Sequence, residues 1–179
     1  MLHPTSPYTL ARGAIEASST AVWLLAPPAR PERAVRRLAL QLRNEMDHDA
    51  ALRDFAAAEV RSLAERKEQL EGMARRAVGD EEYHLRAPTT TRIVAEAQRV
   101  TQSKASVLTA WRVGSGFAHA RPWATLSVLD REMMEGTEPG VYNLQVTGSK
   151  DRLLWALWAA VDVSRAAVGL LDQRRRRHR

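Results

Sequence analysis

Apolar residues recur at spacings of three and four along most of the chain, and this periodicity constrains the fold more than any other feature. An α-helix has about 3.6 residues per turn, so such residues share one face, which a folded chain buries against other helices. The pattern includes Leu10, Ala14, Ala17, Ala21 and Leu24, and then Val35, Leu38, Leu42 and Met46. The sequence therefore predicts an all-α fold, an antiparallel helical bundle of five to six helices with one irregular insert.

Prolines, glycines and serine caps mark the ends of the predicted helices. These helices cover residues 6–26, 31–46, 50–78, 92–101, 104–119 and 149–172. The polar segment 47–49 either separates two helices or forms a polar turn within one long helix. Residues 122–148 form the irregular insert, in which alternation over 141–146 predicts a short hairpin or an ordered loop. We predict a single domain over 1–173 and a basic disordered tail over 174–179.

The net charge of +6 comes mainly from one end of the chain. A positive charge invites interaction with nucleic acid. Five of the 27 basic residues are arginines within 174–179, which leaves 22 basic residues against 21 acidic ones. The body is therefore almost neutral, and runs of like charge are usually disordered and solvated. The candidate nucleic-acid contacts in this tail are Arg174, Arg175, Arg176 and Arg177.

The chain contains no cysteine, which excludes disulfides, thiolate metal sites and cysteine nucleophiles and fits a reducing cytoplasm. Two Glu-x-x-His motifs, which end at His48 and His84, are of the kind that di-iron helical bundles use. The second motif lies in a predicted loop, and no clear fourth glutamate faces it. The sequence also lacks a glycine-rich phosphate loop with lysine and a serine nucleophile elbow. We therefore expect neither a metal nor a cofactor.

Residues 153–171 are apolar enough to resemble a membrane span. Asp162 and Arg165 lie in the middle of this segment, where each would cost about 2.5–3.5 kcal/mol at a bilayer centre. Because they are three residues apart, they can pair with each other on one helix. Near the N-terminus, Glu16 interrupts the apolar run 13–25, which therefore does not match a secretory signal. We predict a soluble helix over 153–171, no membrane partner and a cytoplasmic location.

The most informative constellation is a polar stripe on the helix predicted over 104–119. Arg112 and His119 are seven residues apart, about 20° short of two full helical turns, and Ser115 lies between them. The ends of the stripe are about 10 Å apart along the axis, and side chains lean towards the N-terminus, so Arg112 leans away from His119. Two copies meeting antiparallel would instead place one copy's arginine beside the other's histidine. Gly114 and Gly116 would allow such a close approach.

An arginine and a histidine in this arrangement are suited to phosphodiester cleavage without a metal. Histidine titrates near neutrality and can take a proton from a ribose 2′-hydroxyl or give one to the leaving oxygen. Arginine stabilises charge on phosphoryl oxygens through two parallel hydrogen bonds. His119 is predicted near a helix C-terminus, where the helix dipole favours a positive charge.

This stripe resembles the motif of the HEPN superfamily, an arginine and a histidine separated by four to six residues on a late helix of a small helical bundle. The early helix, with Arg12 and Glu16, is similar to that of abortive-infection-like relatives. The stretch from 111 to 123 also resembles one found in actinobacterial proteins, with Ala120 in place of a glycine. Catalytic members usually have a polar residue directly after the arginine, where this chain has Val113.

The resemblance implies a metal-independent endoribonuclease of the toxin or defence type. It would act as a homodimer on RNA, with an antitoxin or another protein as a further partner. Arg112 and His119 would be the catalytic residues. The supporting residues, which would orient RNA phosphates or the catalytic side chains, are Arg12, Glu16, Ser115 and Arg121.

A non-catalytic alternative stays open from the residues themselves. Arg112, Ser115 and His119 would then form a buried network that joins helices, with Glu16 as a partner, because a lone buried charge is costly. The protein would be a helical interaction protein or a nucleotide- or RNA-binding protein. The two hypotheses differ in whether the arginine and the histidine are sealed in the interior or exposed.

Overall fold

The structure, a computed structural model, describes residues 4–52 and 62–176. Within these residues the chain forms seven helices and one two-stranded antiparallel sheet. The helices are α1 (Ser6–Leu25), α2 (Arg30–Leu52), α3 (Leu63–Val78), α4 (Thr90–Val100), α5 (Val107–Ala118), α6 (Pro122–Val128) and α7 (Lys150–Arg176), and the strands are β1 (Asp130–Glu135) and β2 (Tyr142–Thr147). The predicted helical character is confirmed.

The described residues belong to two compact units. The terminal unit comprises those within Met1–Val22 and Val94–Arg179, and the internal unit comprises those within Trp23–Ile93. Each unit has its own apolar core. The single domain over 1–173 stays a prediction.

In the internal unit, α2 packs against α3. α2 continues through residues 47–49, so this polar segment is a turn of one helix. Arg43 and Asp47 are ion-paired there, with the arginine Nε 3.0 Å from a carboxylate oxygen. The pair is spaced by four residues, which places both side chains on the same face of the helix.

The helix predicted over 50–78 is not continuous. Residues 53–61 lie outside the part of the chain that the structure describes. Ser62 is extended and forms a capping box with Glu65, in which each side chain accepts a hydrogen bond from the other residue's backbone N–H. This reciprocal cap begins a new helix. α3 ends, as predicted, at Gly79, whose φ of 75° is a left-handed conformation that favours glycine.

In the terminal unit, α7 contributes mainly small side chains to the core, and these let other helices approach its inner face closely. Its buried alanines are Ala156, Ala159, Ala160 and Ala167. The largest fully buried side chains of the unit are Tyr8, Ile15, Val22, Val94, Val107 and Val163. The opposite face of α7 is exposed and includes Leu154, Trp158 and Val168.

The insert predicted over 122–148 contains more regular structure than expected. α5 ends before Pro122 as predicted, at Ala118, and Pro122 begins α6, because proline is tolerated at the first position of a helix. The hairpin alternative is correct, since β1 pairs with β2 from Asp130↔Thr147 to Glu135↔Tyr142. Almost every residue of the hairpin is exposed.

α7 differs from the predicted last helix in two ways. It continues to Arg176, so residues 174–176 are helical and not a disordered tail. Arginine is a good helix former, and positive charge is favourable at a helix C-terminus. Asp162 does not pair with Arg165; its carboxylate accepts a hydrogen bond of 2.7 Å from the hydroxyl of Ser103.

α7 is also, within the described residues, the one helix that is long and apolar enough to cross a membrane, judged by length and composition alone. Only 22% of the most apolar stretch of this helix is buried. Most of this apolar stretch is therefore not buried.

Candidate functional site

The site is built where α1 crosses α5 at Gly114. A Cβ added to this glycine would lie 2.6 Å from the Cβ of Arg12 and 2.6 Å from the backbone oxygen of Tyr8. Such distances are too short for any side chain, so the absence of one lets the two helices touch. The rings of Tyr8 and Phe117 meet beside this contact, with centroids 4.9 Å apart.

The two glycines of α5 serve contacts within the chain. Both are buried, and a Cβ added to Gly116 would lie 2.7 Å from the ring of Trp123 and 2.8 Å from the Cβ of Ala124 in α6. The prediction that Gly114 and Gly116 allow close approach of a second copy is therefore wrong. These positions are already occupied by α1 and α6.

A polar network links α1 to α5 beside Gly114. Arg12 Nε donates to Ser115 Oγ over 3.0 Å, and Arg12 Nη2 lies 3.2 Å from Glu16 Oε2. Trp111 Nε1 donates to the same carboxylate oxygen over 3.4 Å. The side chains of Arg12 and Glu16 are only 27% and 34% exposed. The network satisfies a charge pair that is largely removed from water.

The network differs in membership from the one that the sequence predicts. Glu16 was expected to orient Arg112 or His119, but it pairs with Arg12. Ser115 belongs to the network as expected, whereas Arg112 and His119 are both exposed. The prediction of a buried network formed by Arg112, Ser115 and His119 is therefore wrong for the arginine and the histidine.

Arg112 and His119 lie on the outer side of α5. Neither side chain makes a hydrogen bond or an ion pair within residues 4–52 and 62–176. They are about 10 Å apart along the helix axis, and the lean of helical side chains points the arginine away from the histidine. The structure of one chain therefore leaves the two groups free but does not bring them together.

The end of α5 sets the orientation of His119 and Arg121. His119 is the C-cap, and the N–H groups of Ala120 and Arg121 donate to the carbonyls of Phe117 and Gly116 at 3.1 and 2.8 Å. These two hydrogen bonds form a Schellman motif, in which the residue directly after the C-cap is normally a glycine in the left-handed conformation. Here that residue is Ala120, with a φ of 49°. Arg121 then begins α6 as an exposed N-cap without a side-chain hydrogen bond.

The predicted tail contacts do not share one environment. Arg174 is buried, 9% exposed, and has an interaction partner. Its prediction as a free nucleic-acid contact is wrong, because its side chain is buried. Arg175 and Arg176 are exposed, and Arg177 lies outside the described residues.

The Glu-x-x-His motifs are not brought together as a metal centre. The described residues contain no group of three or more histidine or acidic side chains that could hold a metal ion. Glu45 instead forms an ion pair of 3.0 Å with Arg66, and Asp47 pairs with Arg43. These carboxylates are held by arginines.

Two features of the terminal unit were not predicted from the sequence. The hydroxyl of Tyr8 is buried without a hydrogen-bond partner in the described residues. Burial raises the pKa of Tyr8; the charge of Arg152 lowers it, and that of Asp130 raises it. A groove of about 780 Å³ between α1 and α7 is the second feature.

The sequence did carry a signal for the contact between α1 and α5. That signal is Gly114, since a glycine inside a helix often marks a close approach of another element.

A scan against protein-family models found no family that matches the chain, and searches of curated proteins and of solved structures found no match.

Proposed function

We propose that this protein is a HEPN-like, metal-independent endoribonuclease in which Arg112 and His119 act on the RNA backbone. One observation supports this most directly: both side chains are exposed and unpaired within the described residues, while Ser115 between them is held by Arg12. Charged side chains that the fold buries are paired. These two have no partner among the described residues and are available to a ligand.

The conformation of Ala120 supports the resemblance on which the proposal rests. The resembling stretch has a glycine at this position, and Ala120 has the positive φ that favours glycine. The contact of α1 with α5 also supports it, because Arg12 and Glu16 lie beside the helix that carries the motif. The proposal includes the antiparallel bundle of this class and a cytoplasmic location.

The chemistry needs a base or acid and a group that stabilises phosphoryl charge. His119 takes the proton from a ribose 2′-hydroxyl, whose oxygen attacks the adjacent phosphorus. The bond from phosphorus to the 5′-oxygen breaks, and that oxygen takes a proton from water as it leaves. The products are a 2′,3′-cyclic phosphate and a 5′-hydroxyl. Arg112 stabilises the charge on the non-bridging oxygens.

The active form that we propose is a homodimer with a composite cleft. Because Arg112 leans away from His119 within one helix, an antiparallel second α5 supplies the complementary group. The free face of α5 is polar, with Thr109 and Arg112 exposed. This character fits a cleft that holds RNA between two copies. Arg121, Arg175 and Arg176 would add attraction for phosphates through release of counterions.

The proposal is tested by cleavage of a mixed RNA in excess EDTA. Wild type should give products that end in a 2′,3′-cyclic phosphate, and Arg112→Ala should lose about hundredfold or more in rate. Arg37→Ala is the matched control, because Arg37 is exposed in the internal unit. RNA that carries 2′-deoxy nucleotides should not be cleaved at those nucleotides, because they lack the attacking 2′-hydroxyl. Cleavage that EDTA abolishes, or equal rates for wild type and Arg112→Ala, would contradict the proposal.

The second candidate is a non-catalytic interaction protein. It is favoured by the exposed apolar side chains of α7, which include Leu154, Trp158 and Val168. A surface of this kind marks an interaction site more often than a catalytic one. If the protein binds RNA or an antitoxin-like partner, and no preparation of it cleaves RNA, this candidate is supported over the nuclease.

A further inference from the structure

The outer face of α7 carries one continuous stripe, here called the α7 ridge. Its members are Leu154, Trp158, Val161, Arg165, Val168 and Asp172. They follow each other at spacings of four and three, which is the pattern of the seam between two paired helices. The side chains of Leu154, Trp158, Val161 and Val168 are 52%, 56%, 39% and 59% exposed. The ridge therefore has the pattern of a helix contact, but no described residue covers it.

A groove runs beside the ridge and extends its apolar surface. It has a volume of about 780 Å³, and α1 forms its other wall with Leu10, which is 76% exposed. Folded proteins rarely leave a contiguous apolar patch of this kind without a partner. Arg165 and Asp172, the two charged members of the ridge, also line this groove.

The charges of the ridge indicate what the partner is. Arg165 and Asp172 make no ion pair within the described residues. They are seven residues apart on one helix, about 10 Å along the axis, and Arg165 leans away from Asp172. In two antiparallel helices related by a two-fold axis midway between these residues, however, the arginine of one copy lies at the same height as the aspartate of the other, and the two side chains come within reach across the contact.

We propose that the α7 ridge is an isologous contact between two copies of this chain. A two-fold axis close to Val168 pairs Arg165 of each copy with Asp172 of the other, so the same charge pair forms twice. Val168 and Leu10 supply apolar surface around the axis. Gly169 leaves room there, since a Cβ added to it would meet no atom within 4 Å.

A lipid bilayer fits the ridge less well. The inner face of α7 is buried by the rest of the terminal unit, with Val163 and Ala159 fully enclosed, so the helix is not available to lipid on all sides. Arg165 and Asp172 would also remain unpaired in a bilayer, which is unfavourable for both charges. A second copy satisfies both charges.

This contact is separate from the cleft proposed for RNA cleavage, because α5 packs on the inner side of α7. A chain with one isologous contact forms a dimer, and a chain with two such contacts whose two-fold axes cross at right angles forms a tetramer. Loss of the α7 contact halves the mass in either case. Variants of the ridge therefore test this contact, and variants of Arg112 or His119 test the nuclease.

The absence of cysteine allows a direct test by cross-linking. Val168→Cys should form a disulfide-linked pair of 20.0 kDa chains on mild oxidation, since the axis lies beside this residue. Val100→Cys is the control, because Val100 is similarly exposed, at 45%, on another helix of the same unit. Cross-linking of Val168→Cys no faster than that of Val100→Cys would overturn the proposal.

Reversal of the charges tests the pairing itself. Arg165→Asp or Asp172→Arg alone should weaken association about tenfold or more, measured by light scattering over a dilution series. The double variant Arg165→Asp/Asp172→Arg should restore it, because the pairs re-form with opposite polarity. Single reversals without effect, or a double variant weaker than both, would contradict the pairing. Monomeric wild type that sediments with vesicles of phosphatidylcholine and phosphatidylglycerol would assign the ridge to a membrane instead.

Discussion

Arg12 Nε donates a hydrogen bond to Ser115 Oγ over 3.0 Å and so joins the first helix to the fifth, across 103 residues of sequence. This bond divides the polar stripe of α5 into two parts. Ser115 faces α1 and belongs to the fold, whereas Arg112 and His119 face outwards. We therefore expect substitution of Ser115 to lower stability. Substitution of Arg112 or His119 should instead lower the proposed RNA cleavage and leave stability almost unchanged.

The contribution of the Arg12–Ser115 bond is measurable by a double-mutant cycle of Arg12→Met and Ser115→Ala. We expect a coupling of about 1 kcal/mol in the free energy of unfolding, as is typical of an intramolecular hydrogen bond. Urea denaturation provides the measurement. Arg112→Met should change stability by less than about 0.5 kcal/mol, because Arg112 is exposed. Zero coupling in the cycle would show that the bond does not hold the helices together.

The close approach at Gly114 predicts a large effect from one methyl group. Gly114→Ala should destabilise the protein by about 1–3 kcal/mol, since the new Cβ overlaps Arg12 and the backbone of Tyr8. Gly13→Ala in α1 is the control, because its Cβ would meet nothing within 4 Å. That control should be neutral or stabilising by up to about 1 kcal/mol. Thermal unfolding of both variants decides, and equal melting temperatures would contradict the packing at Gly114.

The strained residue at the end of α5 predicts a stabilising substitution. Ala120→Gly should raise the free energy of unfolding by about 0.5–1 kcal/mol, because a φ of 49° costs alanine more than glycine. Ala118→Gly is the control within the helix and should destabilise by a similar amount. A destabilised Ala120→Gly variant would mean that the Schellman motif does not form as described.

Burial of Tyr8 predicts a dependence of stability on alkaline pH. Burial raises the pKa of this phenol above its ordinary value of 10.0, so the folded chain holds the proton more tightly than the unfolded chain. Its stabilising contribution is complete below that ordinary value and is lost as the pH rises through the raised pKa.

Tyr8→Phe should therefore remove part of the loss of stability above pH 10.0. It should also be stabilising by about 1 kcal/mol at neutral pH, since the hydroxyl is buried without a partner in the described residues. Chemical denaturation at neutral and alkaline pH measures both effects. Tyr142→Phe is the control, because Tyr142 is 61% exposed. The same pH profile for Tyr8→Phe and wild type would argue against burial of the phenol.

The helices were predictable from the sequence because their signals are local. The apolar spacing, Pro27 after α1 and Gly79 after α3 act within a few residues of the boundary that they set. α6 was missed because Pro122 was interpreted only as the end of a helix. Proline at the first position of a helix also begins one, and Pro122 does so here.

The candidate site was predictable only in part. The positions of Arg112 and His119 on one helix follow from spacing, and His119 does lie at the end of α5. The partners of Ser115 and Glu16 depend on which helix touches α5, and this contact joins residues far apart in the chain. The exposure of the α7 ridge also depends on packing, because the same apolar run serves equally for a buried helix.

The central claim is that His119 serves chemistry and not the fold, and one paired measurement tests it. Wild type, His119→Ala and the control His84→Ala, an exposed histidine of the internal unit, are compared for RNA cleavage in excess EDTA and for stability. We predict that His119→Ala loses about hundredfold or more in cleavage rate while its free energy of unfolding stays within about 0.5 kcal/mol of wild type. His84→Ala should retain both properties. Equal cleavage by wild type and His119→Ala, or no cleavage by wild type, would contradict the claim.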